Sequence, residues 1–205
     1  MRTRVGLLGG SFDPIHYGHL AIAEDVRIAL QLERVIFIPV AQQPFKIGRH
    51  AAAAPARLAM AQLACASNPA FEVSSIELER PGPSYTITTL EAFNQSIDAE
   101  LYLILGADTA ADLPRWHAAA RVAELARLVV VERPRVQFDR ARLLAALPAA
   151  AGRLIVLAGP QIAISSTLLR QRAAAGLPLR YLTPDPVAEY IHEHRPYQGA
   201  RYGGA

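Results

Sequence analysis

Residues 6–26, GLLGGSFDPIHYGHLAIAEDV, set two glycines, a serine, an Asp-Pro pair and two histidines three residues apart between a β-like run and a helix-like one. At the entry to a helix that spacing lets the imidazoles of His16 and His19 face one anion. Negative charge at a reacting phosphorus gathers on its equatorial and leaving oxygens, so positioned imidazole donors can stabilise the transition state without a covalent step. Gly9 and Gly10, lacking Cβ, let the chain turn sharply and come close to a phosphate, with Ser11 and Phe12 following in the turn. The helix expected to begin near Gly18 aims its unpaired N–H groups and positive dipole end at the same place. A lone histidine usually caps a helix or packs in a loop; the glycine pair, the Asp-Pro and the second histidine favour an anion site instead. Zinc is the weaker reading, because no third and fourth ligand stand at suitable spacing, and no metal-ligating residue is assigned.

The elements that must position these groups are legible as alternating patterns. Six short runs, RVGLL, RVIFIPV, FEVSSIEL, LYLILG, RLVVVE and RLIVLAG, are apolar without alternation, as in strands covered on both faces. Helical spacing occupies residues 18–30, 54–66, 86–96, 116–125, 140–147 and 166–175, and a last helix over 186–194 has Thr183 or Asp185 as its cap. The alternation predicts an α/β fold, a Rossmann-like doubly wound parallel sheet, with a small C-terminal helical part made by the last two helices. Ligands of such sheets bind beyond the carboxyl ends of the strands, which singles out GGSFDPIHYGH, AQQPFK and GADTAADLPRWH.

Composition bounds the rest. With 205 residues and 52% hydrophobic content, residues 1–205 are expected to form one domain with a substantial core. The net charge of +3 and pI near 9.3 suit a phosphate-bearing ligand without demanding nucleic acid. Cys65, the one cysteine, sits in an Ala-rich helical run and reads as a small core residue; a reducing, cytoplasmic setting follows. MRTRVGLLGG is too short in its apolar part for a secretory segment, and no run of about 18 apolar residues exists, so no membrane partner is expected. HAAAAPAR and LLAALPAAAGR are compositional, no fixed-period repeat occurs, and the Gly-rich tail PYQGARYGGA is given no role.

The opening segment lacks the Gly-Lys-Ser/Thr of a Walker A loop and the third glycine of the dinucleotide fingerprint. It resembles instead the G-x-F-D-P-x-H-x-G-H signature of the nucleotidylyltransferase superfamily, filled here by Gly10, Phe12, Asp13, Pro14, His16, Gly18 and His19. ISSTLLRQR, residues 164–172, is similar to that superfamily's second signature. Ile164, Ser165, Ser166 and Thr167 then lie at a helix start facing ATP, with Arg170 one turn on, suited to its β- and γ-phosphates. Taken alone, SST before an apolar run is more often only a helix cap. Lys46, following Pro44 in QQPFKIGRH, matches the family's lysine near the α-phosphate, where an isolated lysine would otherwise read as a solvated surface charge.

Two middle segments resemble the bacterial nicotinate-nucleotide adenylyltransferases of that superfamily: PSYTITTLEAF, residues 83–93, and GADTAADLPRWH, residues 106–117. The resemblance implies a nicotinate-nucleotide site from Ser84, Tyr85, Thr86, Trp116 and His117, and places Gly106 and Asp108 on the ATP side. An electron-poor pyridine stacks on a large aromatic face such as Trp116, a carboxylate takes N–H donors at a helix start, and Asp108 suits ribose hydroxyls. Trp116 could equally anchor the core and Asp108 cap a helix. Tyr17, Arg133, Arg135 and Arg195 are left outside the site. The activity implied is adenylyl transfer from ATP, with Mg2+, to nicotinate mononucleotide in NAD biosynthesis, with a homo-oligomer left open. The rival readings are the phosphopantetheine branch, a nicotinamide preference, a nucleotide-binding regulator without turnover, and a nucleic-acid binder recognisable by steep salt dependence.

Overall fold

The continuously apolar runs do form strands with both faces covered. The computed structural model describes residues 2–42, 51–132 and 138–198. Its sheet comprises β1 (Thr3–Gly10), β2 (Arg34–Pro39), β3 (Phe71–Val73), β4 (Ala99–Gly106), β5 (Ala126–Glu132) and β6 (Leu154–Ala158), ordered β3-β2-β1-β4-β5-β6. Every neighbouring pair is parallel. Successive side chains go to opposite faces. Val5, Leu7, Leu101, Leu103, Leu128 and Val130 enter one buried cluster, whereas Leu8, Tyr102, Ile104, Val129 and Val131 enter the other.

Helices cover both faces. They are α1 (Tyr17–Leu30), α2 (Ala54–Cys65), α3 (Thr86–Ser96), α4 (Ala107–Ala111), α5 (Ala119–Leu125), α6 (Arg140–Ala146), α7 (Ser166–Ala174) and α8 (Asp185–His194). Leu90 of α3, Val122 of α5 and Leu143 of α6 pack on the first face; Val26 of α1, Met60 of α2 and Ile191 of α8 pack on the second. Among the described residues no helix is long and apolar enough to cross a membrane.

Four sequence expectations shift. FEVSSIEL becomes a strand of three residues, because the Ser75 carbonyl takes the N–H groups of Leu78 and Glu79 and turns the chain away from the ladder. Gly9 and Gly10 do not follow β1 but end it, opposite Ile38 and Pro39. The helix expected from residue 116 begins at Ala119, since Trp116 is extended and Ala118 is left-handed at φ 52°. At α8 neither Thr183 nor Asp185 caps: Pro184 holds that position and the Thr183 hydroxyl donates elsewhere.

The strand order runs outward from β1 in one direction and from β4 in the other, so the crevice for a ligand lies beyond the ends of these two strands. At the far edge, Gly159 N–H donates to the Glu132 carbonyl at 3.1 Å, and a Cβ on Gly159 would run into that same oxygen and into Val131. Gly159→Ala is therefore expected to cost about 1–3 kcal/mol, the scale of overpacking. Gly9→Ala, with nothing within 4 Å of its would-be Cβ, should stay within about 0.5 kcal/mol. Urea unfolding of the two variants checks the contrast.

Candidate active site

Beyond β1 the chain bends through Phe12, at φ 47°, into a loop whose backbone is buried and must find partners. Its carbonyls are taken one after another by distant residues. Arg57 Nη1 donates to Ser11 O at 2.8 Å, Arg170 Nη1 to Asp13 O at 2.8 Å, Ser166 Oγ to Pro14 O at 2.8 Å, and Thr183 Oγ1 to Ile15 O at 2.8 Å. The Asp13 carboxylate, 4% exposed, accepts from Ala51 N–H at 2.7 Å, Ala52 N–H at 3.1 Å and the Tyr197 hydroxyl at 3.0 Å. Arg57 lies wholly inside; burial lowers its pKa and the Asp13 charge opposes that fall.

At the end of this loop His16 takes the N-cap position of α1 with extended backbone. Its N–H donates to His19 Nδ1 at 3.2 Å, and the His19 N–H donates back to His16 O at 2.9 Å. The two rings stack at 3.8 Å with 27° between their planes, and Phe12 meets His19 edge-on at 5.2 Å. With Nδ1 accepting, a neutral His19 carries its proton on Nε2, so that nitrogen is the ring's donor. Gly18 makes room: a Cβ there would sit 3.0 Å from two atoms of the His16 ring.

The second signature lies against this loop. Ser165 caps α7, its hydroxyl accepting from Leu168 N–H at 3.2 Å, while Ser166 grips Pro14 and Thr167 accepts from Arg170 Nη2 at 3.1 Å. The Ile164 carbonyl lies 3.8 Å from where a Gly18 Cβ would be. Gly106 ends β4 as the N-cap of α4, and exposed Asp108 sits in the first turn. Gly9, Gly10, Ser11, Phe12, His16, Gly18, His19, Ile164, Ser166 and Arg170 are thus one cluster around the β1 end.

The remaining candidates form a second group, joined to the first through β2. Ser84 Oγ accepts from Ala41 N–H at 3.1 Å and Ser84 N–H donates to Gln42 O at 2.9 Å, so this loop is stitched to the exit of β2 beside β1. Tyr85 is the N-cap of α3 and Thr86 its first residue. The Tyr85 ring lies 4.9 Å from the His117 ring at 48°, and half-buried Trp116 packs against the core. Lys46 lies outside the described residues, as do Pro44, Arg133 and Arg135.

Sequence reasoning missed Arg57, Thr183 and Tyr197, which hold the loop from below. Tyr197 belongs to the tail that was given no role, yet it is fully buried, and its bond to Asp13 spans 184 residues. No local pattern announces such a contact. Burial pushes the Cys65 thiol up to about 12, as befits a packing residue rather than a nucleophile. A cavity of about 440 Å³ lies between α7 and α8, and no candidate residue lines it.

A parallel sheet with an imidazole pair at a helix start beyond its central strand, and an arginine laid on the same loop, defines a nucleotide-handling α/β protein of Rossmann type. The cytidylyltransferase-like family model matches residues 7–172. A protein of Roseiflexus sp. (strain RS-1) named "Probable nicotinate-nucleotide adenylyltransferase" is 58% identical over 194 residues, covering 95% of this chain and 98% of that one. One of the same name from Herpetosiphon aurantiacus is 51% identical over 195 residues, again covering 95% and 98%. The fold matches that of Plasmodium falciparum nicotinic acid mononucleotide adenylyltransferase complexed with NaAD, with TM-score 0.75, 17% identity and 95% and 97% coverage. The chain belongs to the cytidylyltransferase-like family of nucleotidyltransferases, among the nicotinate-nucleotide adenylyltransferases.

Removing the Tyr197 hydroxyl withdraws one of the three donors on Asp13, and Tyr197→Phe is expected to lose about 1–2 kcal/mol. Asp13→Ala, which strands all three donors, should lose about 3 kcal/mol or more. Because both changes break one shared bond, the double variant should fall short of their sum in denaturant unfolding.

Proposed function

We propose that this chain transfers the adenylyl group of ATP to nicotinate mononucleotide, giving nicotinate adenine dinucleotide and pyrophosphate, as a cytoplasmic step of NAD biosynthesis. The observation that carries the reading is the stacked His16–His19 pair at the start of α1, its outer ring fixed as a donor beyond the end of β1. The names of relatives above 50% identity over nearly the whole chain support the choice of acceptor.

In this mechanism the acceptor's phosphate oxygen attacks the α-phosphorus of ATP in line and pyrophosphate leaves, with no covalent enzyme intermediate. The protein contributes orientation and fixed dipoles. His19 Nε2 donates to the phosphoryl oxygens as charge grows on them, and His16, stacked behind it and anchored as the N-cap, keeps that ring in place. Arg170, braced on the Asp13 carbonyl and on Thr167, sets a cation against the leaving group. Lys46 acts near the α-phosphate. Gly9, Gly10, Ser11, Phe12, Gly18, Gly106, Asp108 and residues 164–167 line the ATP side. Ser84, Tyr85, Thr86, Trp116 and His117 receive the pyridine nucleotide, with N–H groups at the start of α3 for its carboxylate.

Imidazole, guanidinium, hydroxyl and N–H groups suit phosphate, and among the described residues no group of three or more His, Cys, Asp or Glu could cage an ion. The site therefore fits magnesium carried in on the triphosphate, whose oxygens His19 and Arg170 hold. Magnesium bound there would neutralise charge on the departing pyrophosphate.

Pyrophosphate release from ATP and magnesium, with nicotinate mononucleotide, nicotinamide mononucleotide and phosphopantetheine as parallel acceptors, tests the proposal. Turnover should be greatest with nicotinate mononucleotide, should stop on chelation of magnesium, and should fall about 10²–10³-fold in His19→Ala with its fold retained. Preference for another acceptor would move the activity to another branch; release with none would leave a binding protein.

A further inference from the structure

Glu77 belongs to none of the motifs that carry the family likeness, and it lies in the turn after β3. The residue is nevertheless only 6% exposed. A carboxyl taken out of water needs hydrogen bonds to offset the lost hydration. The Thr89 hydroxyl of α3 donates to Glu77 Oε1 at 2.8 Å, and Thr89 in turn accepts from Arg80 Nη2 at 2.5 Å. Arg80 is itself held by the Ile76 carbonyl at 3.1 Å.

The other neighbour is Ser84. Its oxygen accepts from Ala41 N–H, which leaves its own proton to donate, and the Ser84 hydroxyl acts on the Glu77 carboxyl. Glu77 thus bonds the threonine one turn into the helix that Tyr85 caps, while the Ser84 hydroxyl, just before Tyr85 and tied to the exit of β2, pulls its pKa down. Oε2 is buried with no hydrogen bond of ordinary length among the described residues.

We propose that Glu77 is a positioning residue for the acceptor: by holding Thr89 it sets the first turn of α3 and the Tyr85 ring, and so how tightly the acceptor's ring and its carboxylate are bound. The inference rests on the reading of residues 84–86 as the acceptor site. Burial pushes the Glu77 carboxyl up from its ordinary value of 4.5, against the pull of the two hydroxyls and Arg80.

The test compares Glu77→Ala and Glu77→Gln in steady-state kinetics with each substrate varied, and in titration of the single tryptophan's fluorescence with nicotinate mononucleotide alone. Glu77→Ala is expected to raise the acceptor KM and Kd about tenfold, with kcat and the ATP KM within about twofold. Glu77→Gln keeps an oxygen for Thr89 and should recover to within about threefold of the parent. A parallel loss in kcat and both KM values, or an unchanged acceptor KM, would overturn the proposal by making Glu77 merely structural or idle. If Glu77→Ala does not fold, the near-isosteric Thr89→Val carries the same test, with the same selective rise expected and the same outcomes overturning it. Parent turnover with a different acceptor would sink the assigned function alone, and the KM ratios measured with that acceptor would then judge Glu77.

Discussion

The structure depends on how the carbonyls of Ser11, Asp13, Pro14 and Ile15 are held. A buried loop must satisfy its backbone, and here the acceptors are taken by Arg57, Arg170, Ser166 and Thr183, side chains drawn from α2, α7 and the approach to α8. Because the carbonyls are bound on the protein side, the loop enters α1 in one orientation, at the switch point of the sheet. A phosphate site made of backbone and imidazole can act at its full strength only if it does not reorganise during the reaction. The four grips supply that rigidity.

The same economy recurs in the core. The buried polar or charged side chains among the described residues are Asp13, His16, Arg57, Glu77, Thr89 and Thr183. Each acts on one of two segments: the histidine loop, or the turn and helix start around Tyr85. Elsewhere the two clusters are apolar, with Leu, Ile and Val alternating across the sheet. Buried polar groups are costly unless paired, so their confinement beneath these two segments marks where a fixed geometry was favoured over simple packing.

The division of the crevice follows from the sheet. β1 delivers the histidine loop, β2 on one side delivers Ala41 and Gln42 to Ser84, and β4 on the other delivers Gly106 and Asp108. A doubly wound sheet opens there on both sides of its central strand. Parallel strands, buried on both faces, hold that mouth to a fixed width.

The amino-acid sequence alone determined the alternation of strands and helices, the parallel α/β class and the two signature segments, because apolar periodicity and loop chemistry are short-range properties. It placed α3 at its observed bounds and the other matched helices to within a residue or two, apart from the one expected at Trp116. What it did not contain was the partner of each loop carbonyl or the burial of Tyr197 and Glu77. The contacts of the histidine loop join residues 46 to 184 positions apart, as in Arg57 with Ser11 and Tyr197 with Asp13, and leave no periodic trace. Ser75 and Ala118 failed the local reading for a related reason: a turn hydrogen bond and a left-handed backbone overrode apolar pattern. The histidine pair could be read from spacing, but the stacking of its rings, the Nδ1 contact and the tautomer that follows from it were decided only when α2, α7 and the C-terminal segment closed on the loop, since orientation is set by packing and not by residue type.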